Sequence, residues 1–324
     1  MTRRAILIAL VTLGLAAAAA PQARAQAFPS HVIRIVVPFP AGGPTDLLAR
    51  HVAQRLAVVL GQGVIVENEA GAGGRTGTQA VARANADGYT LLLGGTNSNA
   101  MVRALYRNLA YDPIKDFTAV AAIATDSDAL AIDPALPVQT IAELIAYSKA
   151  HPGELVAGAA AGIFPHFALE LLRRRAELDM VFVPYKGAAP VITDFLGGQI
   201  QLTAVAKSVM LPYIRAGKMR ALAVTSNTRW SELPDVPTMR ESGFAGYPSD
   251  IWFGLLAPAA TSPAVVAKLN AAVNQSLQTR ELRERFAQLG LEPKVGTAAD
   301  FAAAIAEDAR QWEAIVKETG IKLE

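Results

Sequence analysis

The sequence predicts a two-domain α/β protein, and three observations carry that expectation. Short apolar runs alternate with helical patterns along the chain. The first three such runs each end in a Gly-rich or polar loop. The chain has 324 residues, more than the roughly 250–300 over which a single core keeps growing.

Composition narrows the function classes. Hydrophobic residues make up 52% of the chain and charged ones 18%, which is a globular and not a disordered balance. A formal net charge of +2 gives no electrostatic basis for binding nucleic acid. The chain has no cysteine, so it has no disulfide framework, no acylated cysteine and no thiolate chemistry.

Residues 1–25 are expected to be a secretory signal peptide. Arg3 and Arg4 form its positive start, Ala5 to Ala20 is an apolar run, and Ala23-Arg24-Ala25 is an A-x-A site. Cleavage between Ala25 and Gln26 and export to the periplasm follow. A retained anchor is the alternative, against which the shortness of the run argues. The arginine pair leaves general secretory and twin-arginine export both open.

Beyond the signal, Val32 to Val37 reads as a buried parallel strand, nearly all apolar and β-branched. The loop Pro38 to Gly43 follows, and Pro44 then opens a helix that Gly61 ends. Val64 to Glu67 is a second strand, leading through Gly71-Ala72-Gly73-Gly74 into a helix from about Gly77 to Ala84. Tyr89 to Leu93 is a third strand, expected to end in a polar loop over Gly95 to Asn99. Ala129 to Ile132 is a candidate crossing strand, and Thr140 with Glu143 is a capping box. Val156–Gly158, Met180–Val183, Ile200–Ala204 and Ala221–Val224 are further strand candidates. The expected lobes are residues 26–127 with 249–324, and residues 128–248. The tail reads as three helices, opening at Ser262-Pro263, Thr279 and Thr297.

The first loop has chemistry of its own. Glycines at Gly42 and Gly43 let the backbone approach a ligand closely. The helix behind them leaves the N–H groups of Thr45, Asp46 and Leu47 without partners, at a positive dipole end that suits a carboxylate. Asp46 can cap that end and orient the loop. An ordinary strand-to-helix turn accounts for the loop equally well. Gly71 to Gly77 fails as a nucleotide site, because Thr76 stands where a dinucleotide fingerprint needs glycine and no P-loop lysine follows. The four histidines, His31, His51, His151 and His166, have no metal-site spacing. No nucleophile elbow or acid/base pair is marked, so no catalysis, no metal and no cofactor are expected.

Ordered blocks along the chain resemble the Bug family of extracytoplasmic solute receptors. The blocks include Val36-Val37-Pro38-Phe39-Pro40-Ala41-Gly42-Gly43-Pro44-Thr45-Asp46, Ala86-Asp87-Gly88-Tyr89-Thr90-Leu91, Val183-Pro184-Tyr185-Lys186-Gly187, Leu196-Gly197-Gly198-Gln199 and Trp252-Phe253-Gly254. The resemblance implies a type II periplasmic-binding-protein fold, two α/β lobes with a ligand cleft between them. It implies a monomer that captures a small carboxylate and hands it to membrane subunits of a tripartite transporter, or to a sensor kinase. It places Phe39, Ala41, Gly42, Gly43, Thr45 and Asp46 at the ligand, with Thr96, Asn97 and Ser98 beside them. From the other lobe it brings Gly162, Phe164, His166, Tyr185 and Gly187. Two departures bear on the ligand. Where many members carry Phe-Asp-Asn, this chain reads Ala204-Val205-Ala206, followed by Lys207. Where many carry a Gly-Asn-Gly-Ser-type loop, it reads Ala161-Gly162-Ile163-Phe164. Val205 offers an ammonium group no acceptor, and Lys207 offers a cation, so a carboxylate without an α-amino group is expected.

Overall fold

The computed structural model describes residues 28–320 except residue 107, so the expected signal peptide and its cleavage site lie outside the described residues. In chain order the strands are β1 (Ile33–Val37), β2 (Val64–Asn68), β3 (Thr90–Gly95), β4 (Phe117–Asp126), β5 (Asp128–Ile132) and β6 (Leu155–Ala160). They continue as β7 (Met180–Tyr185), β8 (Leu202–Ala206), β9 (Arg220–Val224), β10 (Ile251–Pro258) and β11 (Glu292–Pro293). The α-helices are α1 (Pro44–Leu60), α2 (Arg75–Ala82), α3 (Met101–Leu105), α4 (Ile141–Ala150) and α5 (Phe164–Arg175). After them come α6 (Ala188–Leu196), α7 (Lys207–Arg215), α8 (Pro263–Leu277), α9 (Arg280–Gln288) and α10 (Ala298–Thr319).

The strands form two mixed sheets, in the orders β11-β4-β10-β3-β1-β2 and β7-β6-β8-β5-β9. Each contains a parallel trio, β2-β1-β3 or β7-β6-β8, followed by an antiparallel strand, β10 or β5. The β1 residues Ile33, Ile35, Val36 and Val37 are buried, as a strand covered on both faces requires.

The chain passes from the first sheet to the second with only Ser127 between β4 and β5. It returns through β10, which pairs with β4 from Phe117↔Pro258 to Asp126↔Ile251. Neither β4 nor β10 stands out in the sequence. Phe117-Thr-Ala-Val-Ala-Ala-Ile-Ala-Thr-Asp126 is rich in alanine, a residue depleted in strands, and Gly254 interrupts Ile251 to Pro258. Antiparallel pairing along their whole length, and not local preference, makes both extended.

Helix ends follow their sequence signals. Thr140 Oγ1 accepts from Glu143 N at 3.1 Å. Thr297 and Asp300 cap each other reciprocally at the start of α10. That helix packs on β4 and carries Trp312, which meets the rings of Phe164 and Phe167 edge-on at 5.7 and 5.8 Å. Gly254 admits α10 to the sheet: a Cβ there would collide with the Phe301 ring and lie 2.8 Å from the Ala121 carbonyl oxygen. Gly254→Ala is expected to cost about 1–3 kcal/mol through overpacking, measured by urea denaturation. An unchanged midpoint would mean that α10 does not press on β10 at this point.

Candidate functional site

A cavity of about 690 Å³ opens where loops from both sheets meet, a size suited to a small ligand. Its wall is built from the C-terminal ends of parallel strands. β1 contributes Phe39 to Gly43, β3 Gly94 and Gly95, β6 Ala160 and Ala161, and β8 Ala204 to Ala206. The wall also takes in the N-termini of several helices. Thr45 of α1, Pro165 of α5 and Ala188 of α6 line the cavity, and Ala206 precedes α7. Thr96, Asn97 and Ser98 belong to a helical segment leading into α3. In open α/β sheets this edge is where ligands bind, and helix starts bring unpaired N–H groups to it.

The expected polar loop over Gly95 to Asn99 is therefore corrected in part. Residues Thr96–Ala100 form a π-helical turn that continues directly into α3. Ser98 Oγ accepts from Gly95 N at 3.0 Å and donates to Asn99 Oδ1 at 2.8 Å. Thr96 Oγ1 donates to Asp308 Oδ2 at 3.2 Å and accepts from Trp252 N at 3.1 Å. These polar side chains stabilise the turn itself. Asn97 reaches the other lobe, its Oδ1 accepting from Phe164 N at 3.2 Å.

The first loop is held from behind. Gly42 has φ +80°, which favours glycine. Asp46 Oδ2 accepts from Gly42 N at 2.9 Å and from Arg50 Nε at 3.0 Å. Its Oδ1 accepts from Asn68 Nδ2 at 3.0 Å, and the same amide donates to the Phe39 carbonyl at 3.2 Å. Leu47 N is already bonded to Gly43 O at 3.0 Å. Only Thr45 and Asp46 of the three expected donors thus precede the first helical bond. Asp46 does not line the cavity; its carboxylate orients the loop that does. Burial alone would raise its pKa, but the bonds from Arg50, Gly42 and Asn68 with the Arg50 charge outweigh that and hold it low. The Gly-rich loop serves Phe39: a Cβ on Gly74 would lie 3.1 Å from the Phe39 ring.

Several expected site residues sit elsewhere. Phe164 is fully buried against Trp312, while Ile163 and Pro165 supply the apolar wall in its place. His166 stacks on Phe182 at 4.5 Å, and its Nδ1 accepts from Gly162 N at 3.2 Å. Burial lowers its pKa. Tyr185 donates to Asp194 Oδ2 at 2.7 Å, and burial with that neighbouring carboxylate pushes its hydroxyl up to about 12. None of Gly162, Phe164, His166 and Tyr185 lines the cavity. Lys207 is corrected as well. Its Nζ lies 3.2 Å from Glu232 and 5.5 Å from the Trp230 ring centre, in a separate crevice. Lys186 lines the cavity instead.

The sequence reading missed Asp126 and Asp128, which also line the cavity. Asp126 Oδ1 accepts from Ser127 N at 2.8 Å, and burial pushes its pKa up to about 7. Asp128 is fully buried, and neither carboxyl oxygen has a hydrogen-bond partner. Burial and then the neighbouring Asp126 push it well above the carboxylate range. Two acids inside the apolar stretch Ala119 to Ile132 were the available signal.

The depressed pKa of Asp46 gives a pH test. Its contribution is present above the unfolded carboxylate value and is lost as pH falls through the lower folded value. Asp46→Asn should therefore cost about 1–2 kcal/mol at neutral pH, with the difference from wild type closing in acid. Urea denaturation at neutral and acid pH checks this, and a pH-independent difference would contradict it.

Comparison with known proteins agrees with this architecture. Residues 48–321 match the family model of the tripartite tricarboxylate transporter family receptor, TctC. The protein BugT of Bordetella pertussis is 38% identical over 327 aligned positions, covering 100% of this chain and 99% of that one. Among solved structures, Rpa4515 of R. palustris with adipate is 36% identical with a TM-score of 0.78, covering 91% of this chain and 99% of that one. MatC of Rhodopseudomonas palustris with bound malate is 34% identical with a TM-score of 0.76, covering 89% and 100%. A two-lobed α/β receptor matched along this much of its length is a member of the family: the chain belongs to the TctC receptors of tripartite tricarboxylate transport.

Proposed function

We propose that this chain is a periplasmic receptor that captures a small organic carboxylate lacking an α-amino group and delivers it to the membrane subunits of a tripartite transporter. The observation that carries this reading is the gathering of helix starts on one cavity, with Thr45 of α1 lining it behind a glycine turn. Such a site favours an anion over a neutral ligand. Lys186 adds a cation at the wall.

The missing amino group is argued from the same wall. Val205 is apolar where an acceptor would be needed. Asp126 already accepts from Ser127 N and feels the Lys207 charge. Burial drives Asp128 toward its neutral form. Adipate and malate, held by the two structural neighbours, are both dicarboxylates without an amino group. The periplasmic location rests on the signal-like residues 1–25 and on the receptor family.

Thermal shift on matched pairs, amino acids against their deaminated analogues, tests the ligand class. A binder at a hundredfold excess over its dissociation constant stabilises the fold by about 2.7 kcal/mol, a readily measured shift. Deaminated acids should raise the melting temperature, and a response confined to amino acids would refute the reading. Gly43→Val places a β-branched side chain over the loop donors, since a Cβ there meets only the Pro40 carbonyl oxygen at 3.4 Å. Calorimetry should show affinity falling by about tenfold or more. Unchanged affinity in the folded variant would move the carboxylate away from this loop.

A further inference from the structure

The loops that follow β1 and β6 are built alike, with one chemical difference. Each carries an alanine that lines the cavity, Ala41 or Ala161. Each then turns at a glycine of positive φ, +80° at Gly42 and +74° at Gly162. Each turn is held by the third residue of the helix behind it. Asp46 Oδ2 accepts from Gly42 N at 2.9 Å, and His166 Nδ1 accepts from Gly162 N at 3.2 Å. Asp46 is held as a carboxylate, so it accepts at neutral pH and well into acid. An imidazole accepts at Nδ1 only while that nitrogen carries no proton. The Gly162 N–H can only donate, so the ring that meets it is neutral, with its proton on Nε2.

We infer that His166 is a positioning residue: its neutral ring holds the β6 loop at the cavity, and protonation of that ring loosens the wall and weakens ligand binding. This inference rests on the receptor reading above and adds a pH response to it. Ala161, Ile163 and Pro165 line the cavity on either side of the Gly162 turn. The ring itself is held by Phe182 of β7, stacked on it at 4.5 Å, and by Phe167 at 5.3 Å. A proton on Nδ1 would face the Gly162 N–H, donor against donor, so the loop must move to part them. Around the ring, Glu170 one helical turn on is the charged neighbour, and Arg173 and Arg174 bind its carboxylate. β6 and β8 carry no titratable side chain. On β7, Tyr185 is bonded to Asp194, and Lys186 beyond it lines the cavity. Tyr247 donates to the Ala168 carbonyl of α5. On α10, Asp308 binds Trp252 and Thr96, Glu313 meets Arg103 and Glu318 meets Arg175. Burial works against charge on the ring and lowers its pKa, although Glu170 opposes this. The preference of the fold for the neutral ring is present in full above the ordinary histidine value of about 6.5. It is lost as pH falls from there through the lower folded value.

The test has one arm with ligand and one without. Calorimetry with adipate and malate compares wild type, His166→Asn and His166→Phe at about pH 7.5 and about pH 5, on either side of the ordinary histidine value. His166→Asn keeps an acceptor at the Nδ1 position that does not titrate. His166→Phe keeps an aromatic ring beside Phe182 and removes the acceptor. Asp126 and Asp308, with pKa values of about 7 and about 6, titrate in all three proteins, so the differences between proteins are read. Near pH 7.5, His166→Asn should bind as wild type does and His166→Phe about fivefold more weakly, the worth of one hydrogen bond. Near pH 5, wild type should have fallen to the affinity of His166→Phe, leaving His166→Asn about fivefold tighter than both. A His166→Asn variant that weakens in acid as steeply as wild type overturns the inference. So does a His166→Phe variant that binds like wild type at both pH values. Nitrogen-15 NMR of the free wild type should show a ring protonated at Nε2 alone at neutral pH, with the Gly162 amide signal moving as Nδ1 takes its proton. A Gly162 signal that ignores the ring's titration overturns the inference without any ligand. If neither acid binds wild type while the Gly162 signal follows the ring, the carboxylate reading fails and the hold of His166 on the loop stands.

Discussion

Helix starts carry N–H groups that no carbonyl of their own helix can satisfy, and this protein depends on where it puts them. The parallel strands end on one side of each sheet, so the helices that follow begin there. Two sheets joined through the β4–β5 crossing bring those starts to a common cavity. The fold thereby concentrates donors and positive dipole ends with few charged side chains. On the proposed reading, an anion there would be met by backbone groups already in place, with no long side chain to order.

Several side chains near these helix starts brace the loops. Asp46, Asn68 and Arg50 form a network behind the first loop, fixing Gly42 and the Phe39 carbonyl. Thr96 and Ser98 bond to Asp308 and to their own turn. Asp308 is partly buried, and that burial pushes its pKa up to about 6 although it accepts from Trp252 and Thr96. A positional error of 1 Å in a backbone donor weakens a hydrogen bond sharply. Rigid support of the loops is therefore as much a part of recognition as the lining.

The crossing between sheets shows the opposite arrangement. Asp128 is buried without a partner, which costs about 1–3 kcal/mol in the free protein. Close contacts between the lobes offset part of such a cost, among them the Asn97 bond to Phe164 N and the packing of Phe164 and Phe167 on Trp312. Strain of this kind persists where the surrounding structure over-determines it, and such places cluster at ligand sites.

The sequence by itself determined the alternation of strands and helices, the helix ends at Thr140, Ser262, Thr297 and Gly61, and the glycine turn before Pro44. Those features are local, set by caps, φ preferences and β-branched runs within a few residues. Tertiary structure alone decided the rest. The alanine-rich β4 is a strand because β10 pairs with it along its length. Lys207 and Phe164 lie next to cavity residues in sequence yet face away, because one step along the chain at a helix start turns a side chain through a large angle. Asp126 and Asp128 look like scattered acids in the chain, and only the joining of two sheets at Ser127 places both residues in the cavity wall. Which side chains meet a ligand between two lobes is a property of long-range contacts, and no local pattern encodes it.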